Sequence, residues 1–306
     1  MARNYKYILT IRTFATVDGK IESNIPIKED VVITNPLTMK FSVSRDPLRG
    51  QNIGVFDVYN LNRDHREEIF YDYRRIQYIR AIYLEAGYEN DTEDNDRCAF
   101  DLIYSGMATT ITSKKVGQDV ITHIEAMSGL MIADSSFSLS VESGVTDAEI
   151  SVAILQDNLD VSAGTQSFKQ YRFIRPVALY GNAVRLLKIY SNGRTFIDLN
   201  RANTLNFNDE IVSKGYVLKI TDSTGLLGTP VRTETLLDID MMFEPRLQVG
   251  HGVEIESFVE TAFNGQYMVW SVSHSGVFGY GDKGDVKTHC SLFVGIQTLG
   301  RFRYGE

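Results

Sequence analysis

The sequence predicts a mainly β (α+β) protein in which two β-barrel domains flank a smaller mixed α/β domain. Three observations lead there. Apolar and polar residues alternate with period two at both ends of the chain, the pattern of strands with one buried face. The stretch between them is poorer in such runs, and a weak repeat relates the two ends. These shifts place the domains at 1–130, 131–205 and 206–306.

In the N-terminal part, Leu37-Thr-Met39-Lys-Phe41-Ser-Val43 and Gly54-Val-Phe56-Asp-Val58-Tyr-Asn60 alternate as strands. Asn62 to Asp64 can cap a short helix through Glu67, Glu68, Ile69 and Phe70, where the apolar spacing turns helical. Arg80 to Ala86 reads as a strand that stops at Gly87. An acidic stretch from Glu89 to Arg97 then holds no apolar residue. Ala99 to Tyr104 leads into Gly106. Two further strands, Ala108 to Ser113 and Val120 to Ala126, are joined by the turn-rich Lys114 to Asp119.

Residues 134–175 are rich in Ser, Asp and Gly, with only weak apolar runs such as Ile150 to Leu155. Pro176 suits a helix start, and Val177, Tyr180, Val184, Leu187 and Ile189 form a partial helical stripe. Asn192-Gly193 makes a tight turn before a strand at Thr195 to Leu199. The C-terminal part reads as strands at Tyr216 to Ile220, Leu236 to Asp240, Val253 to Glu256, Tyr267 to Val272 and Val286 to Phe293. Gly225, Gly228 and Pro230 mark a loop between the first two, since proline is excluded from central strands.

The repeat rests on short correspondences. Asp119-Val-Ile-Thr-His123 answers Asp285-Val-Lys-Thr-His289, and Ile82-Tyr-Leu84-Glu85 answers Val253-Glu-Ile255-Glu256. Gly106 answers Gly265, and Phe56-Asp-Val58 answers Leu237-Asp-Ile239. Two such modules in one chain let three chains build a ring of six, so that a threefold object can stack on a sixfold one.

Composition bounds the function. The 306 residues carry a formal charge of −8, which gives no bulk attraction for nucleic acid or anionic membranes. Cys98 and Cys290 are the two cysteines, too few for a disulfide scaffold and suited to a reducing compartment. Apolar runs such as Gly129 to Ala133 fall far short of the ~20 residues of a membrane span. Tyr7 to Ile11 is too short for a signal peptide core. Cytoplasmic synthesis without stable membrane insertion is the expectation.

Candidate sites have simpler readings. Asp91, Glu93 and Asn95 alternate as in a calcium loop, but Asp96 stands where the sharp-turn glycine belongs and Leu102 where the bidentate Glu belongs. The acidic loop therefore reads as solvated or as a partner contact. His65, His123, His251, His274 and His289 are scattered without metal-binding spacing. His289 and Cys290 are neighbours on a strand and face opposite sides, which spoils a nucleophile–base pair. Asp238 and Asp240 share a strand face, and their alternation with Leu237 and Ile239 explains them without acid–base chemistry. There is no nucleophile elbow or phosphate loop, and Gly276 to Gly281 reads as a flexible loop in a hairpin. Trp270 and the Tyr and Phe residues read as core and interface. No catalytic, cofactor-binding or metal residue is expected, and no cofactor or nucleic-acid-binding module.

The chain resembles the baseplate hub, or tail-tip hub, proteins of long-tailed bacteriophages. The resemblance rests on Phe56-Asp-Val-Tyr-Asn-Leu-Asn62, Leu84-Glu-Ala-Gly-Tyr88, Leu102-Ile-Tyr-Ser-Gly106 and Thr122-His-Ile-Glu-Ala126. It continues through Thr224-Gly-Leu-Leu-Gly-Thr-Pro230, Phe243-Glu-Pro-Arg-Leu-Gln-Val-Gly250, Gly265-Gln-Tyr-Met-Val269 and Ser273-His-Ser-Gly276. It implies a homotrimeric ring with two tail-tube-like β-barrel domains per subunit, in a non-enzymatic virion protein assembled in the bacterial host cytoplasm. The partners it implies are the hexameric tail tube protein, the threefold central spike or tip protein, the tape-measure protein and surrounding baseplate proteins. DNA would pass the lumen without specific binding. The insertion after Tyr88 departs from the family pattern. Two rival expectations are a hexameric tube or distal-tail adaptor, and a tail-associated cell-wall hydrolase using Asp238 and Asp240.

Overall fold

A computed structural model describes residues 5–17, 20–21, 26–46, 52–70, 78–88, 100–128, 136–159, 162–167, 171–190, 198–199, 204–208, 217–233, 236–279 and 286–293. The N-terminal part contains β1 (Tyr5–Val17), β2 (Lys20–Ile21), β3 (Val31–Thr34), β4 (Met39–Arg45), β5 (Asn52–Tyr59), α1 (Arg63–Ile69), β6 (Tyr78–Tyr88), β7 (Asp101–Val116) and β8 (Asp119–Ser128). The middle holds β9 (Ser136–Val141), α2 (Asp147–Leu159), β10 (Ser162–Ser167), β11 (Val177–Asn182), α3 (Ala183–Tyr190), β12 (Asp198–Leu199) and β13 (Thr204–Asn208). The C-terminal part contains β14 (Val217–Thr221), β15 (Leu226–Thr233), β16 (Leu236–Met242), β17 (Gly252–Glu256), a 3-10 turn (Thr261–Phe263), β18 (Gly265–Phe278) and β19 (Lys287–Phe293). The class is mainly β. Among the described residues no helix is long and apolar enough to cross a membrane.

Strands from both ends of the chain share one 14-stranded sheet. Its order runs β15-β16-β19-β18-β4-β5-β8-β7-β6-β1-β2, with β17 on the inner half of β18, β14 on β17, and β3 on β1. Such a sheet must curl to bury its apolar face. Tyr7 of β1 stacks on Phe278 of β18 at 5.2 Å between ring centroids, although five strands separate them in the order. The curled N-terminal sheet encloses Leu9, Phe41, Phe56, Leu84, Tyr104 and Ile124. A second apolar cluster, with Ile220, Leu226, Ile239, Val253, Val272 and Cys290, fills the C-terminal strands. The middle segment forms separate small sheets, β9 with β11 and β10-β13-β12.

Several local expectations change. Ala99 to Tyr104 and Ala108 to Ser113 belong to one strand, β7, which runs through Gly106 to Val116. At Gly106 a Cβ would meet the Tyr104 hydroxyl at 2.6 Å and the Met127 carbonyl at 2.9 Å, so glycine serves close packing there rather than a break. The hairpin narrows to Gly117-Gln118, with Val116 paired to Asp119 and Gly117 at a φ of 63°. Leu226 to Thr233, expected as a loop, is the edge strand β15, where Pro230 is tolerated. Gly276 to Phe278 extends β18 rather than forming a loop.

In the middle, Pro176 does not start a helix. Val177 to Asn182 is a strand, and Asn182 caps α3 by accepting from the Arg185 amide at 3.1 Å. The weak run Ile150 to Leu155 lies in α2, opened by a reciprocal cap: Glu149 accepts from the Thr146 amide at 2.8 Å, and the Thr146 hydroxyl accepts from the Glu149 amide at 3.2 Å. Asn62 caps α1 as expected, accepting from the Asp64 amide at 3.1 Å.

Candidate functional site

The structure repeats itself. Strands β4-β5-β8-β7-β6 and β15-β16-β19-β18-β17 lie in the same order, and each set follows that order along the chain in the same way. The registers agree residue by residue. His123 pairs across from Asp57 and Thr112, while His289 pairs across from Asp240 and Ser273. The β7–β8 ladder slips between Ala108 and Thr110, and the β18–β19 ladder between Val269 and Ser271, at matching positions. A bulge kept at one place in both copies twists both halves of the sheet alike.

This register corrects two of the sequence correspondences. Asp57 matches Asp240, not Asp238, because each pairs with the histidine of its module. Gly265 matches Tyr104, not Gly106, through the pairings Leu84–Tyr104 and Ile255–Gly265. Ile82 to Leu84 does match Val253 to Ile255.

The matched histidines make matched contacts on the outer faces. His123 Nδ1 lies 2.6 Å from Asp57 and its Nε2 lies 3.3 Å from Glu125. His289 Nδ1 lies 2.8 Å from Asp240. The hydrogen bond to Asp57 raises the His123 pKa above its ordinary value, against an opposing desolvation. Asp240 is thus engaged by His289, and Asp238 accepts from the Thr233 hydroxyl at 3.3 Å. His289 is exposed and Cys290 buried, with burial pushing the thiol pKa up. His65 lies on α1 and His251 just before β17. His274 is buried, its Nδ1 2.9 Å from the Thr288 hydroxyl and its ring edge-on to Phe243. Burial, with a smaller effect from Arg45, lowers its pKa to about 3. Trp270, at the β18 bulge, packs its ring against Phe293 at 5.5 Å. The acidic loop 89–97, Cys98, Asn192-Gly193 and Gly129 to Ala133 lie outside the described residues.

The two modules are joined by strand pairing. The outer half of β18 pairs antiparallel with β4, from Val272–Arg45 to Phe278–Met39. Aromatic rings seal this seam: Phe278 stacks on Phe41 at 4.4 Å and on Tyr7, and Phe243 meets Phe278 edge-on. The Tyr88 hydroxyl donates to the Phe243 carbonyl. Spacing alone could not locate this seam, because nothing local in Met39 to Arg45 names a partner more than two hundred residues away. The repeated module thus uses one strand edge for pairing within the chain.

The sequence profile of the family described as baseplate hub gp41 matches residues 13–275. The chain belongs to that family. As a member it is a structural component of the phage tail baseplate. No curated protein matches the sequence at a significant level. Among solved structures, a tail protein from Neisseria meningitidis is similar at 10% identity, with 94% of this chain and 96% of that one covered and a TM-score of 0.58. The 43 kDa tail protein of prophage MuSo2 from Shewanella oneidensis gives 6% identity, coverage of 93% and 97%, and a TM-score of 0.57. An Escherichia coli component of the type VI secretion system, described as similar to the T4 tail proteins gp27 and gp5, gives 9%, 84% and 74%, and 0.55. At such identities the likeness is one of fold.

Proposed function

We propose that three copies of this baseplate protein form a hub ring that joins the hexameric tail tube to the threefold central spike. The observation that carries this reading is the strand order repeated within one chain. Each subunit offers two related modules, so three subunits offer six positions to a sixfold neighbour. The division at 1–130, 131–205 and 206–306 is part of the proposal: the outer segments form the ring and the middle one faces outward partners. The tape-measure protein ends at this ring, surrounding baseplate proteins dock around it, and assembly takes place in the host cytoplasm.

The mechanism is geometric. A permanent ring of this kind buries more than ~2,000 Å² at each subunit contact. Pairing of module edges removes the open strands that would otherwise aggregate. The formal charge of −8 supports a lumen that is neutral or acidic, through which DNA slides without phosphate pairing to Lys and Arg. The protein has no enzymatic role in this reading.

Native mass measurement of baseplates dissociated into single layers tests the stoichiometry. Three chains per layer is the expected result. Six chains would favour a tube or adaptor instead, and clearing of a cell-wall suspension by the purified protein would revive the hydrolase.

A further inference from the structure

The internal seam supplies a template for the contact between subunits, and the inference drawn from it rests on the ring reading above. In β18 one edge serves β19 from Met268 to Ser275, and the other serves first β17 and then β4. In the matching strand β7, one edge serves β8 and the other serves β6 only as far as Met107. Beyond that point, residues 110–116 pair among the described residues with β8 alone, and 112–116 are exposed. The strand matching β4 is β15, which ends the sheet order and, among the described residues, pairs with β16 alone. Among the described residues, one half of the seam is therefore open on β7, and the complementary half on β15.

We infer that the outer half of β7 in one copy pairs antiparallel with β15 of the next copy, repeating the β18–β4 seam between subunits. The matched registers fix the partners. Val277 faces Lys40 and Ser275 faces Ser42 in the internal seam. Val116 and Lys114 take the places of Val277 and Ser275, while Leu227 and Val231 take those of Lys40 and Ser42. Val116 thus meets Leu227, and Lys114 meets Val231, in the neighbouring copy.

Surface chemistry agrees with that register. Val116 and Leu227, exposed at 49% and 36%, form a facing apolar pair of the kind that stabilises a ladder, and Val231, exposed at 58%, lies under the aliphatic stem of Lys114. Lys114 would share a face with Asp238 of the neighbouring copy, which lies across from Val231 on β16 with β15 between them. The ladder slip of β15 between Leu227 and Val231 contains Pro230, so the residue without an N–H sits where the ladder is already interrupted. Contacts between unlike edges join subunits head to tail, the contact type of a ring when the rotation per subunit is a third of a turn.

The test uses assembled tails carrying Lys114→Cys with Val231→Cys. Facing positions on neighbouring strands have Cβ atoms close enough to bridge. Oxidation should link chains covalently into species of two and three copies and no more, while Lys115→Cys with Val231→Cys, on opposite faces, should not link. Absence of links in three-copy layers, with both thiols open to maleimide, overturns the seam and leaves the ring standing. A ladder of species running to six copies overturns the ring itself. Hydrogen exchange on the unaltered protein provides a reading free of substitutions. Amides in 110–116 and 227–233 should exchange at least about tenfold more slowly in assembled tails than in the free chain. Equal rates contradict the inference, and Lys114 and Lys115 would then only guard an open edge.

Discussion

Strands β7 and β18 hold the same place in two modules, yet among the described residues a second strand covers the outer half of β18 and none covers that of β7. The coverage shows in the side chains. The position of Ser113 on β7 corresponds to His274 on β18, and each bonds the matching threonine of the next strand: Ser113 lies 3.1 Å from Thr122, and His274 2.9 Å from Thr288. Ser113 is exposed, whereas His274 is sealed under β4 and Phe243. Three positions further out, the matched pair Val116 and Val277 ends in solvent on β7 and opposite Lys40 on β18. The same scaffold thus carries a finished junction and an unfinished one.

The largest expected contrast comes from removing side chains at these two places. Phe278→Ala empties the ring cluster at the internal seam and should destabilise the chain by ~3–5 kcal/mol, read from urea unfolding. Val116→Ala, on the bare edge, should change the same measurement by no more than ~0.5 kcal/mol while weakening assembly of the tail. Equal effects of both on the isolated chain would erase the distinction.

Gly106→Ala probes the close approach peculiar to the N-terminal module. The added methyl meets Met127 backbone at 2.9 Å, so a cost of ~1–3 kcal/mol is expected from unfolding curves. A neutral substitution would mean that β7 and β8 can shift apart freely.

Acid separates the two junctions next. His274 stays neutral in the fold down to about pH 3, because burial penalises its charged form, whereas the unfolded chain takes up that proton near pH 6.5. Between those limits the unfolded state binds more protons. Stability should therefore fall with acid by up to about 1.4 kcal/mol per pH unit from this residue. His274→Gln should flatten the fall, and an unchanged slope would remove the residue from the account.

The smallest effect concerns the surface pair. His123 is held in its charged form by Asp57, so its pKa lies above the ordinary value. Its contribution is complete below pH ~6.5 and is lost as pH rises through the raised value. Because the ring is 36% exposed, screening keeps this contribution under ~1 kcal/mol. Asp57→Asn should lower the His123 midpoint observed by NMR, and a constant midpoint would contradict the assignment.

Much of the pattern was legible in the sequence, since alternation marks one buried face. Sequence similarity aligns the acidic pair and the glycines two residues out of register, and alternation is blind to that slip because every side chain keeps its face. Edge strands were harder. Pro230 argues against a central strand, and β15 escapes the argument by lying at an edge and slipping around the proline. The Gly276–Gly281 spacing suggested a loop, yet Gly276 pairs with Phe41, and at Gly279 a Cβ would meet Thr38 backbone at 2.8 Å. Helix α2 did carry a readable signal, Thr146-Asp-Ala-Glu149, whose cap outweighs the weak apolar run behind it. Partners of open edges have no local signature, so the β4–β18 seam had to come from the fold.

Electron cryomicroscopy of the intact tail, reconstructed without imposed symmetry at the layer holding this chain, tests the central claim most directly. Three copies are expected, with the β4–β8 and β15–β19 modules alternating around the axis as six related lobes. Six copies in that layer, or only one module of each chain in the ring, would contradict it.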